Sequence, residues 1–207
     1  MPTLYKYQER TILDLLGGKR IACLGVGCGK TAVMFNWLRA VKKKKVVIVT
    51  TASKVKSGDM PKEAVTWCGQ EWVDSLSEFT IISWHKLNKL VFGAGGLPRD
   101  LSDYAFAFDE IQKSKGFSTG MGKAFRWICA HCDTWTGYTA TPGDQWKDYI
   151  AYFVACGLVK NKTEFLRNYC IMQSFRGFPE IIGYLRQDEL SAMWAKIATA
   201  PDTSEMM

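Results

Sequence analysis

Short apolar runs recur along the first two thirds of the chain, separated by stretches in which apolar positions return every three or four residues. The short runs predict strands at 20–24, 45–50, 79–83, 104–109 and 134–138, and the periodic stretches predict helices at 7–16, 30–41, around 60–68, 85–90 and 120–132. Strands alternating with helices are the signature of an α/β fold, a mainly parallel sheet layered between helices. The texture changes after Pro142. Segments 146–156 and 163–170 predict short amphipathic helices, 175–184 a hairpin or extended pair, and 188–198 a last helix capped by Asp188, with 200–204 as tail. The pattern divides the chain into 1–142, an α/β lobe, and 143–207, a helical and hairpin extension. Neither an internal repeat nor a low-complexity segment is present.

The most specific chemistry lies between the first strand and the helix that follows it. Leu24-Gly25-Val26-Gly27-Cys28-Gly29-Lys30-Thr31 comes directly after apolar Ile21-Ala22-Cys23. Gly25, Gly27 and Gly29 let backbone N–H groups turn inward around a phosphate chain, Lys30 adds a point charge on the terminal phosphates, and the Thr31 hydroxyl can join a magnesium shell. Leu24 stands where the full G-x-x-x-x-G-K-[ST] spacing has its first glycine; several helicase-like families keep only the G-x-G-K-T core. In isolation the run also reads as a glycine-rich turn between strand and helix. Cys28, beside Lys30 and near a helix start, occupies a setting that favours a reactive thiol, so its oxidation or alkylation is expected to block nucleotide binding. Gly93-Ala94-Gly95-Gly96 lacks a following Lys-[ST] and reads as a connecting loop.

A triphosphate in such a loop needs a carboxylate at the end of a neighbouring strand to hold magnesium. The apolar run 105–108 ends in Asp109-Glu110. Asp109 would position the metal through its water shell, and Glu110 would polarise the attacking water. An Asp-Glu pair at a strand end is common by itself, but in this order behind a phosphate loop it points to nucleoside triphosphate hydrolysis.

Composition changes this picture little. With 207 residues, 47% of them hydrophobic, the chain can bury one substantial core plus an appendage. No run approaches the roughly 18 consecutive apolar residues of a membrane span, and the start lacks a signal peptide's charged and apolar regions, so a cytoplasmic protein without membrane partners is expected. The compact chain suits a bacterial or phage protein. Seven cysteines, an odd number scattered through apolar segments, suit buried reduced thiols. Cys129-Ala130-His131-Cys132 has half of a zinc site's spacing but no second ligand pair, and reads as core at a helix end. The net charge of +7 favours a polyanionic partner, and the run Lys42 to Lys45 is expected to cap a helix C-terminus.

With these motifs in place, the sequence resembles the first motor lobe of superfamily-two helicases and translocases, most closely the SWI/SNF-like branch, through nearly its whole length. Leu4-Tyr5-Lys6-Tyr7-Gln8 resembles the L-x-x-Y-Q opening, whose glutamine reads adenine. Leu24 to Thr31 resembles motif I, and Val47-Ile48-Val49-Thr50-Thr51 resembles motif Ia. Ile81 to Leu87 resembles the I-x-S-Y-x-x-L segment, with Trp84 replacing tyrosine. Asp109-Glu110-Ile111-Gln112-Lys113-Ser114-Lys115 resembles motif II, D-E-x-H-x-x-K, with Gln112 in place of histidine, and Thr136 to Pro142 resembles motif III.

The resemblance implies a RecA-like P-loop lobe that binds ATP and Mg2+. Tyr7, Gln8, Gly25, Gly27, Cys28, Gly29, Lys30, Thr31 and Gln112 would contact the nucleotide. Thr31 and Asp109 would hold the metal, and Lys30, Asp109 and Glu110 would carry catalysis. Thr139 and Thr141 would relay to the nucleic-acid track, and Gln112 keeps the hydrogen bonds needed to join that relay. Motif Ia and the Ser83-Trp84-His85 segment face the track in the family, which implies phosphate contacts from Thr51, Ser53, Lys54, Ser83 and His85. Trp84 is expected in the core.

The family's motor has two RecA-like lobes with ATP between them, and residues 143–207 do not read as the second; they resemble the segment that closes the first lobe. The expected function is therefore the ATP-binding lobe of a DNA-dependent ATPase or translocase, with duplex DNA favoured over RNA and hydrolysis awaiting a second lobe, whether the chain is shortened or one product of a split gene. A non-catalytic nucleotide-binding module of a partner motor is the alternative; a small-molecule kinase would leave motif III and the Tyr7-Gln8 opening unexplained.

Overall fold

A computed structural model describes residues 2–175 and 178–201. In chain order the helices are α1 (Lys6–Leu16), α2 (Lys30–Ala40), α3 (Ala52–Ser57), α4 (Met60–Cys68), α5 (Gln70–Asp74), α6 (Trp84–Phe92), α7 (Gly120–His131), α8 (Ile150–Ala155), α9 (Lys162–Tyr169) and α10 (Gln187–Ile197). The strands are β1 (Ile21–Cys23), β2 (Lys45–Thr50), β3 (Glu78–Ser83), β4 (Tyr104–Asp109), β5 (Trp135–Thr139), β6 (Cys170–Phe175), β7 (Phe178–Tyr184) and β8 (Ala198–Thr199). Short 3-10 turns occupy Ile111–Lys115 and Trp146–Tyr149.

Six strands form one sheet in the order β3-β2-β4-β5-β1-β8, and every pairing in it is parallel. Helices cover both faces, which is why β2 and β4 carry buried side chains at successive positions. On one face Val46, Ile48, Ala105 and Ala107 pack under α1, α2 and α4, with Phe35 and Leu38 of α2 fully buried. On the other, Val47, Val49, Phe106 and Phe108 meet α6, α7 and the helices after Pro142. Tyr104, Phe106 and Phe108 stack in a ladder with ring centroids 5.9 and 6.0 Å apart, and Phe125 and Trp135 meet the Phe108 ring edge to face. Each such buried aromatic ring contributes on the order of 1.5–3 kcal/mol through removal of its surface from water. The three-layer α/β architecture is thus the one expected, a RecA-like domain.

Several elements differ from the sequence reading. The segment expected to be helical up to position 198 instead ends as β8, whose Ala198 and Thr199 pair with Ile21 and Ala22 of β1. Residues 143–201 therefore return to the sheet, and Phe153, Phe165 and Leu190 lie in the same core as β4. α10 starts from Arg186 at φ 50°, which puts Asp188 in the first helical turn, where its charge complements the dipole, and not at the cap. The hairpin begins at Cys170, read from sequence as a helix end, and β6 and β7 form a separate antiparallel pair. Asp202, Thr203 and Ser204 of the expected tail lie outside the described residues. The lysines after α2 also behave differently: Lys43 and Lys44 donate to the carbonyls of Ser102 and Ser75, and Lys45 sits over the Tyr104 ring. They tie neighbouring loops to the amino edge of the sheet. No helix among the described residues is long and apolar enough to cross a membrane.

Candidate nucleotide-binding site

Because the strands of the main sheet are parallel, their carboxyl ends share one edge, the edge at which open α/β sheets bind ligands. Leu24, Thr50, Ser83, Asp109 and Thr139 stand at or just past those ends. Sequence positions far apart thus meet along one edge of the sheet.

The glycine loop is built from behind. Gly27 and Gly29 take left-handed backbone angles, φ 81° and 70°, which glycine adopts without strain. A methyl group at Gly29 would lie 2.2 Å from Gln8 Nε2. That amide donates to the Cys28 carbonyl at 3.3 Å, and the Tyr7 hydroxyl donates to the same oxygen, also at 3.3 Å. Gln8 Oε1 accepts from the Tyr5 N–H at 3.0 Å, and the side chain is buried. Tyr7 and Gln8 therefore brace the loop, with both ends of the Gln8 amide engaged. Burial and the nearby Cys28 thiol raise the Tyr7 pKa, keeping the phenol a neutral donor. Leu24, which stands in place of the first glycine, is wholly buried in the core, and its N–H donates to the Thr139 carbonyl. Lys30 Nζ folds along the loop to the carbonyls of Leu24 and Gly25, at 3.1 and 3.2 Å. Thr31 follows it on the first turn of α2, and both line one cleft.

The acidic pair is equally constrained. Asp109 is buried, and its Oδ2 accepts from Thr50 Oγ1 at 2.6 Å and from Lys54 Nζ at 2.7 Å. The Trp84 indole, itself buried, donates to the Asp109 carbonyl at 2.8 Å and holds the end of β4. Glu110 adopts φ 53°, a left-handed conformation rare for a residue with a side chain. Gln112 Nε2 donates to Glu110 Oε2 at 2.6 Å, while Gln112 Oε1 accepts from Thr139 Oγ1 at 2.8 Å. Thr139 Oγ1 accepts in turn from the Thr141 N–H at 3.0 Å. The segments that follow β4 and end β5 are thus joined by one amide acting as donor and acceptor together.

The five residues implied for the nucleic-acid track separate. His85 and Ser53 are exposed, Thr51 is half-buried with its hydroxyl 3.0 Å from that of Ser53, and Ser83 is buried. Lys54 turns into the cleft. Sequence reading also missed Glu63 and Trp67 of α4, which line this cleft of about 510 Å³ together with the phosphate loop, Lys54 and Glu110; Trp67 Nε1 donates to Glu63 Oε2 at 3.0 Å. An amphipathic turn packed on α2 gives no signal of that placement. Cys129 and Cys132 are buried in the core, burial raising both thiols, and His131 stacks on Trp127.

The residues fit a magnesium triphosphate. The start of α2 presents free backbone N–H groups and the positive end of its dipole beside Lys30. One carboxylate, Asp109, and the hydroxyls of Thr31 and Thr50 are hard oxygen donors, and magnesium typically takes one or two carboxylates with phosphate oxygens and water. Among the described residues no cluster of three or more His, Cys, Asp or Glu is placed to hold a metal by itself.

The described fold is similar to that of the Sulfolobus solfataricus SWI2/SNF2 ATPase core in complex with dsDNA, over 97% of this chain and 44% of that one, with a TM-score of 0.69 and 15% identity. It is also similar to a hypothetical ATP-dependent RNA helicase from Sulfolobus tokodaii, over 70% of this chain and 48% of that one, with a TM-score of 0.48 and 17% identity. No protein-family model and no curated protein sequence matches the chain. The chain spans less than half the length of either Sulfolobus protein. What the first likeness establishes is the fold, a RecA-like lobe of the kind found in SWI2/SNF2 ATPase cores.

Proposed function

We propose that this chain is the ATP-binding first lobe of a DNA-dependent ATPase of the helicase or translocase type, with hydrolysis requiring a second RecA-like lobe. Residues 1–142 supply the motor motifs, and 143–207 close the lobe and lead toward its partner. The observation that carries this reading is the hydrogen-bonded path from Glu110 through Gln112 and Thr139 to Thr141 beside the phosphate loop. A phosphate-binding loop alone serves many chemistries, whereas a path from its water-polarising carboxylate to motif III serves a motor that reports hydrolysis to a track. Duplex DNA is the favoured track, since the structurally similar SWI2/SNF2 core is one in complex with dsDNA.

In this mechanism Lys30 leaves the loop carbonyls for the terminal phosphates, and Thr31 and Asp109 would hold a magnesium ion, which would draw charge from the transferring phosphoryl group. Glu110 accepts a hydrogen bond from the attacking water. Gln112 fixes the Glu110 carboxylate, and its other end senses Thr139. Tyr7 and Gln8 keep the loop in the shape that accepts adenine nucleotide, while Gly25, Gly27, Cys28 and Gly29 present their backbone to it.

Phosphate release from magnesium-ATP, measured with and without duplex DNA in parent and Glu110→Gln chains supplemented with a second lobe, tests the reading. DNA-stimulated turnover abolished by the substitution is expected; turnover indifferent to it would overturn catalysis by this site. The second reading, a non-catalytic nucleotide-binding module, is favoured by one feature: Lys54 already neutralises Asp109. In that case Glu110→Gln leaves partner stimulation and nucleotide affinity unchanged.

A further inference from the structure

Lys54 places a cation where the proposed chemistry needs a different one. Its Nζ lies 2.7 Å from Asp109 Oδ2; the Asp109 side chain is 4% exposed and that of Lys54 is 40% exposed. The same oxygen accepts from Thr50 at 2.6 Å, so it has two donors before any metal or metal-bound water approaches. Thr50 ends a central strand and is fully buried, hence fixed. Lys54 sits on α3, a six-residue helix with no buried residue that ends at left-handed Gly58. Of the two donors, Lys54 is the one able to leave.

We propose that Lys54 is an exchangeable latch between the two sites. In the nucleotide-free chain its ammonium holds Asp109; binding of magnesium nucleotide displaces it, and the freed charge joins Thr51, which caps α3, and exposed Ser53 at the start of that helix to contact a nucleic-acid phosphate. This rests on the nucleotide-binding reading above. It makes the order of events physical: the metal must outcompete a lysine, and winning adds one positive charge to the protein surface that faces the nucleic acid. Counterion release makes each such contact strengthen duplex binding and steepen its salt dependence.

The test is amine acylation of the full chain read by mass spectrometry, with exposed Lys56 as internal reference and a fluorescent adenine nucleotide reporting binding in the same samples. Lys54 should label more slowly than Lys56 without nucleotide, speed up roughly threefold to tenfold with magnesium-ADP, as expected for loss of a half-exposed ion pair, and slow again when duplex DNA is added. Asp109→Asn should release Lys54 without nucleotide. Should that variant fail to fold, Lys54→Gln serves: it should raise the ratio of nucleotide affinity in magnesium to that in EDTA by a similar factor. Lys54 labelling that does not rise while nucleotide is bound overturns the latch and leaves the nucleotide site standing; an unchanged affinity ratio in Lys54→Gln does the same. Absence of nucleotide binding by the parent chain removes both readings.

Discussion

Gly29 is where the phosphate loop excludes a side chain twice, once through its left-handed φ of 70° and once through Gln8 Nε2 standing 2.2 Å from the place of a Cβ. Gly29→Ala must therefore either push Gln8 away, breaking its bond to the Cys28 carbonyl, or flatten the loop. Either change moves the amides that face phosphate. Fluorescent-nucleotide titration should show affinity falling by about tenfold or more, a loss of roughly 1.4 kcal/mol or greater, while far-ultraviolet circular dichroism stays that of the parent; parent-like affinity would show that the loop's shape is not what binds. Cys28 offers an independent probe of the same loop. Burial pushes the thiols of Cys23, Cys68 and Cys156 up to about 12, and raises Cys129, Cys132 and Cys170 as well. A raised pKa keeps a thiol protonated at neutral pH, and its reactivity grows only as pH climbs toward that value. At about pH 7.5, iodoacetamide should modify half-buried Cys28 before the other six, and the modified chain should lose nucleotide binding. Preferential labelling elsewhere, or unchanged affinity after complete Cys28 modification, would count against it.

Elements that bury an apolar face over several successive or periodic positions were the most legible in the sequence. β2, β4 and α2 are continuous or periodic in apolar residues because each is held between layers. α3 and α5 bury nothing, so no periodicity marks them, and β8 is two residues long, set by its partner β1. The motifs of the site were legible for the same local reason, whereas the Lys54 to Asp109 pair spans 55 positions and left no trace in either segment. Gly137 shows the two levels meeting. It sits in β5 within the motif III segment, and a Cβ there would lie 2.1 Å from Ile111 Cδ1, the residue between Glu110 and Gln112. Ile111 is fully buried, and its Cβ and Cγ1 would also lie only 3.1 Å from the new methyl group, so moving the Cδ1 end alone does not clear the contact. Gly137→Ala should cost about 1–3 kcal/mol through overpacking, read as a lowered urea midpoint with unchanged slope. Since Ile111 carries Glu110 and Gln112 with it, the same substitution should, under the proposed function, uncouple DNA stimulation from nucleotide binding when a second lobe is supplied. A variant as stable as the parent would mean that the turn after β4 yields.

At the scale of the whole molecule, every candidate catalytic group comes from one edge of one sheet, and the cleft they form is open on its far side. Val26 at the loop tip is 90% exposed, and among the described residues that line the cleft there is no arginine. In the proposed hydrolysis, charge developing on the transferring phosphoryl group would meet Lys30 and the metal but no guanidinium from this lining, and an arginine finger contributes about 10³ to 10⁵ in rate where one acts. The isolated chain should accordingly bind magnesium-ATP while releasing phosphate barely above background. A closing wall can come from a different lobe or from a second copy of this chain, and concentration separates the two. If self-association completes the site, turnover per chain rises as the concentration of chain is raised. If a different lobe is required, turnover per chain stays flat and near background at every concentration, and rises only when that lobe is added. Rapid, concentration-independent hydrolysis by the monomer, abolished by Glu110→Gln, would show that this half site is sufficient and that the open wall is no defect. The net charge of +7 adds a second signature: stimulation by duplex DNA should weaken steeply with salt, because each neutralised phosphate releases counterions on binding. A stimulation insensitive to salt would mean that the activating contact does not rest on this chain's excess positive charge.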